Sequence, residues 1–526
     1  MLVNFLFIFL LSFTNILGNY TYKEQNIEER NILTYIFPGK SSNILTFVKL
    51  IKFTIKKLKI ERPNTKYFFH IIIHNSDFNT WNKFDNDTKQ FLQFEVFGNE
   101  SNFNEKIFSQ IRKGKPYISG FIFGNKKLQN LINILNNEIL EYNILDKLKK
   151  KKIKFDLILT DSFNMITSFF KRELQIEKIM NVNPTCEYPF LIGNVNYNSL
   201  YENIIGISFN KEMKLFRRFF NYIYQKFTSL IIGDYFFFQN KSFDNKGYKY
   251  IELYQPNSFF MNQCIEGIHF SKSLPTNFVS AGYFSLKKNN KQLKEIKKFK
   301  TLNDFLEIYK INILIDREKI NTKDLNAIAR FYKNYGFIYL KKSEVVIKET
   351  FPKNLFLTDC IKYNYILKDK RISIYITNGE LNNIIESLYH KTPIIAIGNS
   401  IEELNNFNLI KNKKFGFGFL TKNQVSKNKI IEYINEILNN EDFKTNCLKA
   451  SEIIKNCDGK ENFYYWLNYI MNIGYEHLVI PSSRELNLFK QNNYDILTAL
   501  MFFLLLFGGM WYFIIYKIIK KISKKQ

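Results

Sequence analysis

Residues 376–406 read ITNGELNNIIESLYHKTPIIAIGNSIEELNN, and this stretch decides the fold of the second half of the chain. It opens on the end of an apolar strand, breaks at Asn378 and Gly379, continues as a helix and returns to an apolar strand after Pro393. A strand, a helix and a second short apolar strand in this order are typical of a βαβ unit in a parallel sheet. The helix carries an apolar stripe at the spacing of a core-facing surface, formed by Leu381, Ile384, Ile385 and Leu388.

The opposite face of this helix is polar and indicates a ligand site. Asn382, Glu386 and His390 recur at every fourth position and therefore share that face. Gly379 would let the backbone approach a ligand closely, and the N–H groups of the first turn carry partial positive charge that suits a phosphate. Asn382 can donate an amide hydrogen to a phosphate oxygen, and Glu386 can accept hydrogens from sugar hydroxyls. The alternative is an ordinary helix with a solvated polar face.

Alternating strands and helices extend on both sides of this stretch. In the first half, residues 31–37 predict a strand followed by a long helix, and residues 154–160 form an apolar strand that ends at Asp161. We therefore predict an α/β fold with two doubly wound Rossmann-like domains that face each other across a cleft, with ligands at the carboxyl ends of the strands. The predicted divisions are a first domain at 19–286, a lysine-rich linker at 287–301, a second domain at 302–460, and return helices with a pre-membrane segment at 461–495.

Both ends of the chain carry apolar segments. Residues 2–13 are too short to span a bilayer, and with the small Gly18 they resemble a secretory signal peptide at 1–18. Residues 496–516 are uncharged and, at about 1.5 Å per residue, cover roughly 31 Å, which is one hydrocarbon core. The basic tail at 517–526 predicts, by the positive-inside rule, a type I single-pass protein with its bulk in the secretory lumen. The ending KKQ is similar to a retrieval signal and suggests the endoplasmic reticulum membrane.

Charge and cysteine usage narrow the class of protein. The formal net charge is +27, but the lysines are spread along the chain and no nucleic-acid motif occurs, so we expect no nucleic-acid partner. The five cysteines are scattered. Cys447 and Cys457 could close a small disulfide loop in an oxidising lumen, and the alternative is that the cysteines are buried apolar residues. Whether the chain forms homo- or hetero-oligomers stays open.

The quoted stretch resembles the signature of the UDP-glycosyltransferase family, in its membrane-anchored glucuronosyltransferase branch. That signature reads Thr-His-Gly-Gly-x-Asn-Ser-x-x-Glu-Ala, followed by Gly-Val-Pro, Asp-Gln and a downstream Asn. The segments KFDLILTDSF, GISFNKEMKLFRRFFNYIY and GYEHLVIPSSRELNLFKQNNYDIL extend the resemblance over nearly the whole chain. The positions of this sequence that match the signature are Thr377, Gly379, Asn382, Glu386, Pro393 and Asn406.

The resemblance implies the two-domain GT-B fold, with a lipophilic acceptor in the first domain and a UDP-sugar in the second. It implies inverting transfer of glucuronic acid or glucose, with no metal and no other cofactor. Asp161 matches the family's acid that orients a catalytic histidine, while the alternative is that Asp161 or Ser162 caps the following helix. The residues that the resemblance assigns to donor binding are Asn378, Gly379, Asn382, Glu386, Glu402, Glu403 and Tyr363.

The family's catalytic histidine is missing from this sequence. Its likeliest aligned position is Ser42, whose hydroxyl is not basic near pH 7. Lys40 would need a strongly lowered pKa to replace the histidine, and His74, at a neighbouring strand end, is another alternative base. The donor signature also departs from the pattern, because Glu380 stands for a glycine and Glu402-Glu403 stands for Asp-Gln.

Two hypotheses follow from these matches and departures. The first is an inverting UDP-sugar transferase of the secretory lumen that conjugates small lipophilic hydroxyl compounds. The second is a catalytically inactive relative that binds lipophiles or a partner transferase at the membrane. It rests on the missing histidine and on the departures at the donor site, where the family's uracil-stacking tryptophan is also lost unless Tyr363 substitutes for it.

Overall fold

The computed structural model describes residues 27–36, 38, 41–81, 84–98, 135, 138–161, 167–184, 186, 258–269, 276–284, 300–316, 320, 322–340, 351–358, 363–398, 401–420, 426–479 and 494–523. Within these residues the chain forms two fully parallel sheets with helices packed on them, which confirms the predicted fold class. The predicted signal peptide at 1–18 and residues 287–299 of the predicted linker lie outside the described residues.

The described part of the first domain is built on seven strands in the order β3-β2-β1-β4-β5-β6-β7. Apolar clusters cover both faces of this sheet, which explains why a strand such as LILT at residues 157–160 is apolar on both sides. The strands are β1 (Glu28–Tyr35), β2 (Thr65–His74), β3 (Leu92–Phe97), β4 (Leu157–Thr160), β5 (Lys178–Asn183), β6 (Phe259–Asn262) and β7 (Phe278–Ser280). The helices are α1 (Ser41–Glu61), α2 (Phe78–Trp81), α3 (Asn86–Lys89), α4 (Ile144–Lys150) and α5 (Thr167–Glu173).

The described part of the second domain is a six-stranded sheet in the order β10-β9-β8-β11-β12-β13. Its strands are β8 (Ile311–Asp316), β9 (Tyr335–Leu340), β10 (Leu355–Thr358), β11 (Ile372–Thr377), β12 (Ile394–Gly398) and β13 (Gly416–Leu420). Its helices are α6 (Lys300–Ile308), α7 (Thr322–Phe331), α8 (Tyr363–Ile366), α9 (Leu381–Tyr389), α10 (Ile401–Asn412), α11 (Lys427–Asn439) and α12 (Glu441–Asn456). The apolar stripe of α9 is buried as predicted. Helix α6 begins inside the predicted linker, because Leu302 and Leu306 pack into the core.

Both sheets reverse their strand order at one point. In the first sheet β1 lies between β2 and β4, and in the second β8 lies between β9 and β11. At such a switch point the connections leave on opposite faces of the sheet, so a crevice opens at the carboxyl ends of the two strands. Tyr35 and Asp161 lie at this crevice in the first domain, at the carboxyl ends of β1 and β4. Asp316 and Asn378 lie at it in the second domain, at the carboxyl ends of β8 and β11.

Helix α13 (Gly459–Asn472) carries the chain from the second domain back to the first. Its residues Phe463 and Leu467 are buried in the core of the first domain, and Asn468 Oδ1 accepts a hydrogen bond from the hydroxyl of Tyr67 at 2.6 Å. The structure therefore places a helix at the start of the region where the sequence predicts return helices.

The two crossings between the domains lie side by side. Tyr283, on the outgoing crossing, pairs with Asp458 on the returning one, and Asn462 Nδ2 donates a hydrogen bond to the carbonyl of Ala281 at 2.7 Å. Gly459 makes this close approach feasible, since an added Cβ there would lie 2.7 Å from the carbonyl carbon of Tyr283. The second domain thus begins and ends at the same place on the first.

Helix α14 (Tyr494–Ser523) is the candidate membrane span within the described residues. Its segment Ile496–Lys520 is long and apolar enough to cross a bilayer, with a mean hydropathy of 2.1, and none of it is buried in the protein. The helix extends beyond the predicted span at 496–516 and continues through the first lysines of the basic tail.

The cysteine pairing differs from the one considered from sequence. A disulfide joins Cys186 to Cys264, whereas Cys447 and Cys457 are free, so the hypothesis of a Cys447–Cys457 loop is wrong. Cys186 and Cys264 meet because each lies just past the end of one of two neighbouring parallel strands, β5 and β6. Cys447 is buried in an apolar cluster, as the alternative interpretation expects.

We expect reduction of this disulfide to destabilise the protein. The bond joins cysteines 78 residues apart in sequence, and a crosslink over a loop of this length typically stabilises a fold by about 2–4 kcal/mol. Thermal unfolding of the full chain in detergent, with and without a reductant, measures the effect. A Cys186→Ser/Cys264→Ser double variant should no longer respond to the reductant, whereas Cys447→Ser should still respond. An unchanged unfolding temperature after complete reduction would contradict the expectation.

Candidate functional site

The entrance to α9 is held by a small polar network at the carboxyl end of β11. Asn378 Oδ1 accepts hydrogen bonds from the backbone N–H of Glu380 at 3.2 Å and from Asn383 Nδ2 at 2.9 Å, and Asn383 Nδ2 also donates to Thr377 Oγ1 at 3.0 Å. Asn383 occupies the third helical position, from which a side chain can reach back over the helix start. Exposed Glu380 makes no side-chain capping bond, so it does not occupy the N–H groups of the first turn.

Gly379 is required by the packing beneath this entrance. Its φ is +82°, and an added Cβ would lie 2.4 Å from Cε1 of Phe407, a buried residue of α10. The ring of Phe407 also lies against Gly398 and Gly418, the glycines of the next two strands, where an added Cβ would again be too close. Asn406 Nδ2 donates to the carbonyl of Gly379 at 3.0 Å. Helix α10 therefore fixes the loop that leads into α9.

Two tyrosines and two carboxylates line the switch point of the second sheet. The hydroxyl of Tyr375 donates to Asp316 Oδ2 at 3.1 Å, and the ring of Tyr363 stacks on that of Tyr375 with centroids 5.8 Å apart. Burial, together with the charge of Glu386 and a hydrogen bond to it, raises the pKa of Tyr363 well above its usual value. Tyr363 thus lies beside Glu386, which the sequence analysis predicts to accept hydrogens from sugar hydroxyls. One face of the Tyr363 ring is directed at Tyr375.

The two glutamates after β12 lie in the first turn of α10. The carboxylate of Glu403 is packed against the backbone of Gly398, where an added Cβ would lie 2.2 Å from Oε2. Glu402 precedes it in the helix, and its side chain lies outside the described part of the structure. Because β12 is the neighbour of β11, this pair is one strand away from the entrance of α9.

In the first domain, the corresponding crevice contains Asp161 and Tyr35. Asp161 directly follows β4 and is 1% exposed, and Tyr35 ends the adjacent strand β1, in register with Thr160. Burial, and then the nearby carboxylates of Asp161 and Glu138, raise the pKa of Tyr35, so its phenol stays protonated at neutral pH and is not a base. Ser42 is the second residue of α1, which follows β1, and its side chain lies outside the described residues.

His74 is locked into the first domain by its own hydrogen bonds. Its Nε2 is 3.1 Å from Glu138 Oε2, and its Nδ1 accepts from the backbone N–H of Ser76 at 3.2 Å. Gly98 covers the ring, since an added Cβ there would lie 2.2 Å from Nε2. Burial lowers the pKa of His74 against the opposing effect of Glu138. Both ring nitrogens are used, which does not favour His74 as a replacement base.

The first domain contacts α9 through Gln263 and Tyr283. Gln263, directly after β6, donates from Nε2 to Asn382 Oδ1 at 3.1 Å, and the hydroxyl of Tyr283 lies 3.5 Å from the carbonyl of Asn382, to which it donates. Ile265 and Ile268 pack with the apolar stripe of α9 in one cluster that crosses between the domains. The carboxyl ends of the two sheets therefore face each other, with α9 at their junction.

Sequence analysis missed Gln263, Tyr283, Asn383 and Phe407. For Asn383 a signal existed, because an amide at the third position of a helix can reach back to the preceding loop. Nothing local marks Gln263, which becomes visible only when β6 is placed beside the second domain. No cluster of three metal-ligating side chains occurs within the described ranges.

This arrangement can hold a charged ligand and move a proton. The first turn of α9 offers N–H groups to a phosphate, while Glu386 can accept hydrogens from sugar hydroxyls. Asp161 supplies a carboxylate at the facing edge of the other sheet. The two domains thus offer different groups, N–H donors at the entrance of α9 and a carboxylate at the carboxyl end of β4.

Comparisons with known proteins agree with this geometry. The model of the family described as UDP-glucoronosyl and UDP-glucosyl transferase matches residues 78–526. "UDP-glycosyltransferase UGT4" from Dactylopius coccus is 22% identical over 470 residues, which cover 84% of this chain and 88% of that relative. "UDP-glucuronosyltransferase 3A1" from Xenopus laevis is 23% identical over 434 residues, 78% of each chain.

One further relative matches a shorter part of this chain, and one solved structure resembles it in fold. A human "2-hydroxyacylsphingosine 1-beta-galactosyltransferase" is 26% identical over 180 residues, 33% of this chain and 32% of that protein. The crystal structure of the glycotransferase of kitacinnamycin superposes with a TM-score of 0.53 at 10% sequence identity, covering 84% of this chain and 98% of that one. The structural likeness shows a shared fold.

Proposed function

This chain belongs to the UDP-glucuronosyl and UDP-glucosyl transferase family and is a glycosyltransferase, and we propose that it transfers glucuronic acid or glucose to small lipophilic hydroxyl compounds with inversion at the anomeric carbon. The observation that carries the proposal is the meeting of the two sheet edges at α9. There the helix entrance of the second domain faces the carboxyl edge of the first.

In this proposal the second domain binds the UDP-sugar. The first-turn N–H groups of α9 and the amide of Asn382 hold the diphosphate, and Glu386 accepts hydrogens from hydroxyls of the nucleotide sugar. Tyr363, which orients Glu386, contributes one face of the uracil site, and Glu402 and Glu403 contact the transferred sugar. The helix dipole and the amide stabilise the negative charge of the diphosphate, which a metal ion would otherwise balance. The proposed reaction therefore requires no metal or other cofactor.

The proposed reaction is a single displacement. The acceptor oxygen forms a bond to the anomeric carbon while the bond from that carbon to the diphosphate oxygen breaks, and UDP leaves with the bonding electron pair. The acceptor proton passes to Asp161, the carboxylate at the carboxyl end of β4. Negative charge that develops on UDP is stabilised by the entrance of α9.

We further propose that the protein is anchored by α14 in the membrane of the endoplasmic reticulum, with its two domains in the lumen. Support comes from the apolar segment Ile496–Lys520 and the lysines that follow it, which favour a cytosolic position for that end. Protease protection of sealed microsomes that contain the full chain tests this orientation. Digestion of both domains without detergent would contradict it.

The donor site is tested by calorimetry of the full chain in detergent with UDP and UDP-glucuronic acid. We expect saturable binding of both, together with an increase in thermal stability at millimolar ligand. ADP, with the same diphosphate and a different base, serves as the matched control and should bind more weakly. Absence of both heat and stabilisation with UDP would contradict the proposed function.

The second candidate function is that of an inactive relative that binds lipophiles or a partner transferase. It is favoured by two observations: α1, the helix that follows β1, begins with serines where the resemblance places the family histidine, and His74 is hydrogen-bonded to Glu138. In this case UDP would bind but would not be released from UDP-sugar in the presence of hydroxylated aromatic acceptors. Acceptor-dependent release of UDP would exclude this candidate.

A further inference from the structure

Gln263 is a buried amide that the first domain holds rigidly at its boundary with the second. Its backbone N–H donates to the carbonyl of Asn183 at 2.9 Å, and its side chain belongs to a residue that is 1% exposed. The next residue, Cys264, is bonded to Cys186, and its carbonyl accepts the N–H of Gly282 at 2.9 Å. Three contacts to two neighbouring segments of the first domain therefore fix the position of Gln263.

The contact between Gln263 and Asn382 has a defined polarity. Gln263 Nε2 donates to Asn382 Oδ1 at 3.1 Å. A carboxamide has one oxygen acceptor and one nitrogen with two donor hydrogens, so occupying Oδ1 fixes which way the Asn382 amide is turned. Its Nδ2 then lies on the other side of the amide, and no hydrogen bond within the described residues uses it.

A second observation indicates that this contact is completed by a ligand. Gln263 Oε1 is buried and has no hydrogen-bond partner within the part of the chain that the structure describes. Buried polar atoms in folded proteins are nearly always paired, so an unpaired one beside a cleft needs a partner from elsewhere. A hydroxyl-bearing ligand between the domains would supply that partner.

We propose that Gln263 is a positioning residue for the UDP-sugar, which acts through Asn382 from the opposite domain. By occupying Asn382 Oδ1 it presents the Nδ2 hydrogens of Asn382 to the diphosphate. Its own Oε1 accepts a hydrogen from a hydroxyl of the sugar that is transferred, a group that both UDP and uridine lack. This inference rests on the proposed function. It also makes tight donor binding depend on contact between the two domains.

The experiment reverses the polarity of the contact. Gln263→Glu replaces the donor Nε2 by an acceptor oxygen, so Asn382 must turn its Nδ2 towards residue 263 and its oxygen towards the diphosphate. Loss of a hydrogen bond to a charged group predicts that the Kd for UDP rises about 10-fold or more. Uridine lacks the phosphates and should bind this variant as it binds the wild type. Calorimetry of the full chain in detergent measures both ligands.

Two further variants separate positioning from general loosening of the structure. Gln263→Met removes the amide without adding a charge and should weaken UDP binding, again without an effect on uridine. Asn462→Asp removes the donor of the hydrogen bond to the carbonyl of Ala281, a domain contact that does not touch Asn382, and should leave the Kd for UDP unchanged.

The outcomes distinguish the inference from the function on which it rests. A loss that appears with UDP and not with uridine supports the role of Gln263. Equal losses for UDP and uridine, equal losses in Asn462→Asp, or no loss in either Gln263 variant would overturn it. Failure of the wild type to bind UDP would instead overturn the proposed donor site, whatever the variants do.

Discussion

Replacement of Asp161 by Asn is expected to slow acceptor-dependent release of UDP by about 10²–10⁴-fold, the range of a lost general base. Asp161 is buried at the carboxyl end of β4, and an amide of the same shape cannot accept the acceptor proton. Because Asp161 lies in the first domain, binding of UDP to the second should be retained. Steady-state release of UDP with a hydroxylated aromatic acceptor, together with calorimetry of UDP, measures both quantities.

Asp156→Asn is the matched control, because Asp156 lies at the opposite end of the same strand. Its Oδ2 accepts the backbone N–H of Asn31 at 2.8 Å, and its other oxygen faces Arg30. This contact is structural, so its loss should lower the unfolding temperature without a large change in turnover per folded molecule. If Asp161→Asn retained wild-type turnover, the proton would have to pass to another group, and the assignment of Asp161 as base would be wrong.

Replacement of Gly379 by Ala is expected to have the second-largest effect. A non-glycine residue at φ +82° is strained by about 1–3 kcal/mol, and its Cβ would lie 2.4 Å from Cε1 of Phe407. The loop could relieve this contact only by moving away from α10, which would displace the entrance of α9. We expect a lower unfolding temperature and a Kd for UDP that rises by about 10-fold, since hydrogen bonds to the diphosphate require the entrance to stay in place.

A double variant tests whether Phe407 is the cause. Phe407→Leu removes the ring atoms that the new methyl group would meet, so Gly379→Ala should be less harmful in this background than in the wild type. Gly508→Ala, in the membrane helix, is the control, because nothing lies within 4 Å of an added Cβ there. Strictly additive effects of the Gly379 and Phe407 changes would show that the close approach does not determine the position of the loop.

Local patterns were sufficient to predict the fold and to nominate part of the candidate site. The alternation of short apolar strands with helices, and the stripe and polar face of α9, depend only on neighbouring residues, and the structure confirms the two parallel sheets and the buried stripe. Asn382 and Glu386 were placed on one face by their spacing alone. The position of Asp161 at a carboxyl edge followed from the apolar strand that it ends, whereas its candidate role came from the resemblance to the family.

Contacts between distant segments could not be predicted in this way. Cys186 and Cys264 become neighbours only through the order of β5 and β6, which their own sequences do not encode locally. Phe407 looks like any core residue of a helix until Gly379 and the glycines of two neighbouring strands are aligned beneath it. Gln263 meets Asn382 because the two domains meet, and a single amide after a strand carries no signal of that encounter.

The adjacent crossings at Tyr283 and Asp458 act as a common pivot for the second domain. Two connections at one point permit a hinge rotation of the second domain about that point, but they resist sliding of one domain past the other. The bond between Gln263 and Asn382 lies close to this pivot, because the hydroxyl of Tyr283 also donates to Asn382, so we expect the opening motion to be largest on the side of the cleft away from Tyr283. Because its two ends lie close together, the second domain is also suitable for circular permutation or for exchange with the corresponding domain of a relative.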